Sequence, residues 1–590
     1  MSGPALEVRE RSARYLLRAE PALIPAFDLL TTAQDGVARL RQAIMSLAVR
    51  GRLIPQSNTD EPADNLLKRA TERAVKPHEL AAARRFRKTA PIHGSELPFD
   101  LPRGWAWARL PEVTHDWGQK TPASQFTYID VAGVDNTRCC IAEPAQVLNA
   151  ADAPSRARKI VKRGSVIYST VRPYLKNIAV VDRDYEPEPI ARTAFVVMHP
   201  MEGVSAEFLV CYLRSDSFTE FVASKMVGVA YPAINDSNFF EGVMPVPPAA
   251  EQLRIVARVE ELLKLCDALE QSGRLADEQH ARLTSTLCDA LAASESAHAL
   301  AENWQRIAEH FDLLLDRSEA IDALEQTISQ LAVRGALVRQ DALETTGEDL
   351  LKRCILASGV SGRRVRAVQA PPSEEEVPFS VPTGWVWARF GDVADVSGGV
   401  TLGRKGTPAQ PMCLPYLRVA NVQRGKLNLI AEVKNVTVDA SEVSRFQLRS
   451  GDLLIAEGGD WDKVGRTCIW REEISGCLHQ NHIFKARGWT PEWLPAWGEL
   501  FLNSADARSY FAASAKQTTN LASINMTELR YLAFPLPPLA EQHRIVARVE
   551  ELRRLCYQLR ERLTEARRTQ SQLAEALVQQ VTNAPNPSVG

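Results

Sequence analysis

The chain contains one plan twice, at an offset of 280 to 290 residues, and this repeat limits the possible folds more than any other feature. FDLL and SLAVRGRLI at 27–30 and 46–54 return as FDLL and QLAVRGALV at 311–314 and 330–338. DNLLKR at 64–69 returns as EDLLKR at 348–353, and each is followed by charged, poorly periodic stretches around 84–88 and 363–366 that read as linkers. LPFDLPRGWAWARL at 97–110 matches VPFSVPTGWVWARF at 377–390. Each copy then closes on PVPP at 245–248 or PLPP at 535–538, where helices cannot run through. AEQLRIVARVEELLKLC at 250–266 and AEQHRIVARVEELRRLC at 540–556 agree at 14 of 17 positions, whereas the stretches between the proline motifs differ strongly. Repeated helices around divergent inserts are expected of a scaffold carrying two readers of different targets.

The helices after the proline exits show heptad seams. One runs through Ile255, Val259, Leu262, Cys266 and Leu269, weakens at Gly273, Ala276 and His280, and resumes at Leu283, Leu287 and Ala290. The other runs through Ile545, Val549, Leu552, Cys556, Leu559 and Leu563, with Leu573 and Leu577 beyond. Matched phase suggests helices packed on each other, and the long connection permits an antiparallel pair with approximate two-fold symmetry. About 40 helical residues would make a rod of roughly 60 Å, against about 34–36 Å for one turn of B-DNA. The fold class expected is α+β: two mixed α/β recognition domains separated by long antiparallel coiled-coil helices. The boundaries are 1–95 for an N-terminal helical arm and linker, 96–248 for the first domain, 249–373 for a central helical region, 374–538 for the second domain and 539–590 for a C-terminal helical region.

Composition sets further bounds. A chain of 590 residues with 45% apolar and 24% charged residues is globular and multi-domain. It has no apolar run of membrane-spanning length and no secretory leader, so a cytoplasmic location is expected. A formal net charge of −2 argues against a strong independent nucleic-acid binder and allows one with local positive charge or a basic partner. The ten cysteines form no C-x-x-C pair and read as small buried hydrophobes, not metal ligands.

The inserts have strand patterns. RGSVIYSTVRPYLKNIAVV at 163–181 and SGDLLIAEGGDWDKVGRTCIW at 450–470 occupy equivalent places, each with a loop carrying aromatic and basic residues between two strands. Basic loop residues neutralise phosphate or pair with guanine, and Asn or Gln pairs with adenine in the major groove. The candidates for DNA contact in the first insert are Lys120, Arg172, Tyr174, Lys176, Tyr231 and Asn235. Those in the second are Arg404, Lys405, Arg418, Asn421, Trp461, Lys463, Gln480, Asn481, Lys516, Gln517, Asn520 and Asn525. Trp105, Trp107, Trp385 and Trp387 read as packing residues.

Catalytic patterns find no support. GGVTLGRK at 398–405 puts Arg404 where a phosphate loop needs Lys, and no Ser or Thr follows Lys405. No dinucleotide glycine motif follows a strand, and neither proline motif carries the Asn or Asp of an adenine methyltransferase tetrad. Glu457, Asp460, Asp462 and Lys463 lack nuclease spacing on their glycine-rich turn, and His479 and His482 have no further ligand nearby, so strand packing or DNA contact is the reading for them.

The doubled layout, the GWxW approach and the PxPPxxEQxRIVxRVEEL exit resemble the specificity subunits of type I restriction-modification systems, over roughly 27–577. LPYLRVANVQRG at 414–425, GGDWDKVGR and HQNHIFKAR look like one recurring recognition-domain type, and WGQKTPAS at 117–124 resembles another. The resemblance implies a non-catalytic subunit in which two domains each read one half of a split site in double-stranded DNA. It also implies helices that bind two modification subunits holding S-adenosylmethionine, and restriction subunits that add ATP, Mg and nuclease sites. This chain itself would then need no cofactor, metal or membrane. The helical arm ahead of the first domain occurs in only some branches of the family. A fused methyltransferase and a coiled-coil scaffold that never touches DNA are the rival readings.

Overall fold

The computed structural model describes residues 29–33, 35–73, 90–228, 231–294, 296–360, 369–403, 408–459, 463–518 and 521–583. The linker stretches 84–88 and 363–366 lie outside them. The chain divides into two compact units, one drawn from 1–277 and 566–590, the other from 278–565.

The first unit opens with α1 (Gly36–Val49) and α2 (Ala63–Arg73). Leu40, Ile44 and Leu47, spaced by four and three, give α1 one buried face. The helix stops at Gly51, whose φ of +67° suits glycine. A Cβ there would stand 2.5 Å from Pro102 and 2.7 Å from Trp105, so the repeated VRG segment is docked on the repeated Pro-x-Gly-Trp segment. Next come β1 (Ala106–Arg109), β2 (Thr114–His115), β3 (Phe126–Ile129), β4 (Gln146–Leu148), β5 (Ala157–Ile160), β6 (Val166–Ser169), β7 (Ile178–Val180), β8 (Pro189–Arg192) and β9 (Phe195–Pro200). Helices α3 (Ala206–Leu213), α4 (Asp216–Lys225) and α5 (Asp236–Phe239) lead to β10 (Val243–Val246) and the long α6 (Ala249–Ala292).

Incoming β1 and outgoing β10 pair antiparallel, with Trp107 opposite Pro245. This ribbon clamps the two ends of the insert together. Behind it the buried Arg109 guanidinium donates to Glu96 at 2.7 Å and to the carbonyls of Glu241, Ala90 and Pro91. At the start of α6, buried Gln252 donates to the carbonyls of Pro247 and Gly203 and accepts from the Ser205 N–H, which explains the repeated Glu-Gln after the prolines. Among the described residues the insert holds two four-stranded sheets, ordered β2-β9-β6-β7 and β4-β3-β8-β5. Along β6, Val166 and Tyr168 join the helix-lined core, while Ile167 joins a second core with Ile129 and Ile141, the alternation a strand imposes.

The second unit repeats this with α7 (Ser318–Val333), α8 (Gly347–Val360), β11 (Val386–Arg389), β12 (Ala394–Gly398), β13 (Pro411–Leu417), β14 (Lys434–Asp439), α9 (Ala440–Phe446), β15 (Leu453–Ala456), β16 (Gly458–Gly459), β17 (Thr467–Ile469), β18 (Leu478–His479) and β19 (Ile483–Gly488). It continues with α10 (Pro495–Leu502), α11 (Ala505–Ser514), β20 (Lys516–Thr518), β21 (Leu521–Ser523), α12 (Met526–Tyr531), β22 (Ala533–Leu536) and the long α13 (Leu539–Asn583). The core of the clamp recurs at the equivalent residues. Trp387 is opposite Pro535, and Gly335 at φ +74° would clash with Pro382 and Trp385 if it carried a Cβ. Arg389 donates to Glu376 and to the Tyr531 and Ala370 carbonyls, and Gln542 donates to the Pro537 carbonyl. The main sheet keeps its order as β12-β19-β15-β17. The second sheet has only three strands, β14-β13-β18, and α9 stands where the first unit has β5.

Both long helices contribute to both units. Ile255, Val259, Leu262, Cys266 and Leu269 of α6 share the first core with Ala574, Leu577, Val578 and Val581 of α13. Ile545, Val549, Leu552, Cys556, Leu559 and Leu563 share the second core with Leu287 and Leu291. Within the first unit the ion pairs reveal direction. Arg39 of α1 meets Ser571 and Glu575, and Arg50 meets the Thr582 carbonyl, so α1 and α13 run together. Arg41 meets Asp267 and Glu270, while Gln56 beyond α1 reaches Glu251, so α6 runs the other way. Within the first unit the segments of the two long helices are therefore antiparallel, with α1 as a third helix beside them. Three seam expectations need correction: Leu283, Ala290 and Leu573 are exposed, and their neighbours Thr284, Leu291 and Ala574 are buried instead. An α-helix drifts about 20° per heptad. Four heptads separate Ile255 from Leu283 and Ile545 from Leu573, enough to move the buried face on by nearly one residue.

The cysteine expectation is also refined: all ten are free and seven are buried, but Cys139 and Cys140 are half-buried and Cys413 is exposed. Among the described residues no helix is long and apolar enough to cross a membrane.

Candidate nucleic-acid interface

In each unit one rim of the main sheet is built by the same two segments. The first is the loop leaving the central strand, β6 or β15. The second is the hairpin that precedes the Ile-Asn pair opening α5 or α12. In the first unit the Ile234 N–H donates to the Thr170 carbonyl at 3.0 Å, and the Arg172 N–H donates to the Pro232 carbonyl at 2.8 Å. Bridges join Val171 to Ala233 and Ala233 to Val227. In the second unit the Ile524 N–H donates to the Glu457 carbonyl at 3.0 Å, and β16, β21 and β20 form a three-stranded sheet in that order.

The first rim carries Arg172, Tyr174 and Tyr231. The Arg172 guanidinium lies 5.0 Å from the Tyr231 ring centre, and Tyr174 and Tyr231 are 50% and 70% exposed. Arg172 has a φ of +48° and Lys176 one of +51°, a left-handed conformation that non-glycine residues seldom adopt and that marks a tightly determined turn. Lys176 is turned inward: its Nζ donates to the Arg214 carbonyl at 2.9 Å, and burial lowers its pKa from the usual lysine value. Lys120 lies apart from this loop, beside β5, and pairs with Glu188. Asn235 caps α5, accepting from the Asn238 N–H at 2.7 Å.

The second rim gathers Glu457, His482 and the β20–β21 hairpin. His482 is exposed and its Nδ1 lies 2.7 Å from the Glu457 carboxylate. Gln480 and Asn481 follow β18, their N–H groups bonded to the Leu417 and Val400 carbonyls. Lys463 is half-buried on the turn back to β17, and Lys516 and Gln517 lie in β20. Arg404, Lys405, Trp461 and Asn520 lie outside the described residues. Arg418 is committed to Glu432, and Asn525 caps α12 through the Thr527 and Glu528 N–H groups. Asn421 is corrected: it is fully buried, accepts from the Arg418 N–H and donates to the Asn428 and Ala431 carbonyls. His479 is also enclosed, bonded to the Phe446 carbonyl, and burial pushes its pKa down to about 3. Val171 and Val227 carry none of the charged, amide or aromatic groups that mark a base or phosphate contact in a loop. The position of Val227 just ahead of the repeated Ile-Asn pair was the available signal.

The four tryptophans of the repeated GWxW segments are packing residues. Trp105 and Trp385 lie in the two cores, the Trp107 ring centre lies 5.0 Å from that of Phe99, and the Trp387 ring centre 5.0 Å from that of Phe379. Among the described residues no group of three or more His, Cys, Asp or Glu is placed to hold a metal ion.

The chain is similar to known proteins over most of its length. The family model described as the type I restriction modification DNA specificity domain matches residues 382–566. The EcoEI specificity subunit of Escherichia coli is 30% identical over 93% of this chain and 94% of its own length. The EcoAI specificity subunit of the same organism is 30% identical with the same coverage. The crystal structure of the HsdS subunit from Thermoanaerobacter tengcongensis aligns over 83% of this chain and 99% of that one, at 24% identity and a TM-score of 0.41. On the full-length similarity to the two Escherichia coli subunits, the chain belongs to the type I restriction enzyme specificity subunits.

Proposed function

We propose that the chain selects a bipartite site in double-stranded DNA, each unit reading one half with the rim described above, and delivers modification and restriction subunits to it. The observation that supports this most is the contrast within each unit. The clamp of Arg109, Gln252 and Gly51 recurs at Arg389, Gln542 and Gly335, while the rim residues at equivalent places differ. A frame kept constant beneath exposed loops of changing chemistry suits recognition of two different base sequences. Methyl transfer, with S-adenosylmethionine, and translocation and cleavage, with ATP and Mg, are assigned to the partners. The antiparallel long helices are the surface proposed for two modification subunits, and the complex is placed in the cytoplasm.

Footprinting of the assembled complex tests the reading. Two protected segments separated by an unprotected gap are expected. Arg172→Ala should weaken protection of one segment only. A continuous or featureless footprint would contradict it, as would methyl transfer to DNA by the chain alone.

A further inference from the structure

The two rims can be superposed by their hydrogen bonds. Ile234 bonds to Thr170 as Ile524 bonds to Glu457, so Val171 matches Gly458 and Ala233 matches Ser523. Val227, bridged to Ala233, then matches Lys516, which pairs with Ser523. Residues directly opposite across antiparallel pairs share a face, with Cβ atoms about 4.5–5.5 Å apart. The first unit therefore presents a row of three apolar side chains, Val171, Ala233 and Val227, where the second has Gly, Ser and Lys at the same register positions.

This row is open to solvent: Val227 is 74% and Val171 39% exposed, and Ala233 is half-buried. Small β-branched side chains left in water beside the Arg172–Tyr231 pair contribute nothing to the core, and the Val171–Ala233–Val227 bridges hold them in line. In the major groove the one apolar base edge is the 5-methyl group of thymine, which is read by apolar side chains of this size. Arginine at the same place supplies a phosphate or guanine contact.

We propose that the Val171–Ala233–Val227 row reads the 5-methyl group of a thymine in the half-site of the first unit. The proposal rests on the reading that these rims face DNA. The full chain, with the partners it co-purifies with, is used to select its target from a random duplex pool. Each thymine of that target is then replaced singly by deoxyuridine, which lacks only the methyl, and binding is measured by competition. One replacement in the half-site of the first unit should weaken binding about fourfold, the value of one buried methyl-sized group. In the Val171→Ala, Val227→Ala double variant, thymine and deoxyuridine at that position should bind equally. If Arg172→Ala abolishes protection of that half-site but every deoxyuridine replacement is neutral, the rim reads DNA and the methyl proposal is wrong. A half-site with no A·T pair overturns it equally. If neither rim variant alters binding, the underlying assignment of the rim fails as well, and the two failures are distinguished.

Discussion

The two units differ least where their inserts leave the helices and most where the inserts meet solvent. At the base, Arg109 and Arg389 each bond a glutamate and two equivalent carbonyls, Gln252 and Gln542 donate to equivalent proline carbonyls, and the incoming and outgoing strands pair in the same register. Farther out, edge strand β5 of one unit is replaced by α9 in the other. At the rim, Val171, Ala233 and Val227 stand against Gly458, Ser523 and Lys516. The comparison teaches that the mounting and the reading surface are separate parts. The mounting closes each insert on itself with a two-stranded ribbon, so changes in the insert need not reach the helices.

If the mounting is shared, damage to it should cost alike in both copies. Arg109→Ala and Arg389→Ala each leave several carbonyls and one carboxylate without their donor. Each is expected to destabilise by about 3 kcal/mol, measured by chemical denaturation. A large effect in one unit and none in the other would break the equivalence. Gly51→Ala and Gly335→Ala put a Cβ within 3 Å of a proline and a tryptophan at positive φ. They should cost about 2 kcal/mol, again in both copies.

Asn235→Ala and Asn525→Ala sharpen the boundary between mounting and rim. As helix caps they should cost about 1 kcal/mol each in stability and leave the recognised bases unchanged. A change in base preference would return them to the reading surface. The smallest effect concerns acid. Hydrogen bonds from Arg109 and Arg389 hold the Glu96 and Glu376 carboxyls down at about 2, against an ordinary 4.5. A depressed carboxyl stabilises the fold above the ordinary value, and this is lost as pH falls through the lower one. The stability gap between the chain and its Glu96→Gln, Glu376→Gln variant should therefore shrink between about pH 4.5 and 2. A gap that is flat across that range would show that the pairs contribute nothing, as exposed pairs often do.

Much of this organisation was legible in the residues, for physical reasons. A repeated Gly-Trp-x-Trp and a repeated Glu-Gln after prolines announce a repeated joint, because ribbon pairing and buried hydrogen bonds need those residue types at those spacings. The seam residues from Ile255 to Leu269 and from Ile545 to Leu559 were legible for the same reason. Leu283 and Leu573 were misplaced because a strict heptad ignores the drift of a straight helix. The rim was harder. Asn421, Asn235 and Asn525 have the chemistry of base readers, yet the same amide satisfies a buried turn or a helix end. Only the geometry of the neighbouring N–H and carbonyl groups separates these uses. Lys176 shows the same ambiguity for a charge, since its ammonium serves a carbonyl inside its own unit.

Independence of the two readers on one frame is tested most directly by exchanging residues 96–248 for the corresponding insert of another specificity subunit and mapping the methylated sites of the hybrid complex. A new sequence in one half of the site, with the other half and the gap between them unchanged, is the result expected. Alteration of both halves would contradict the account.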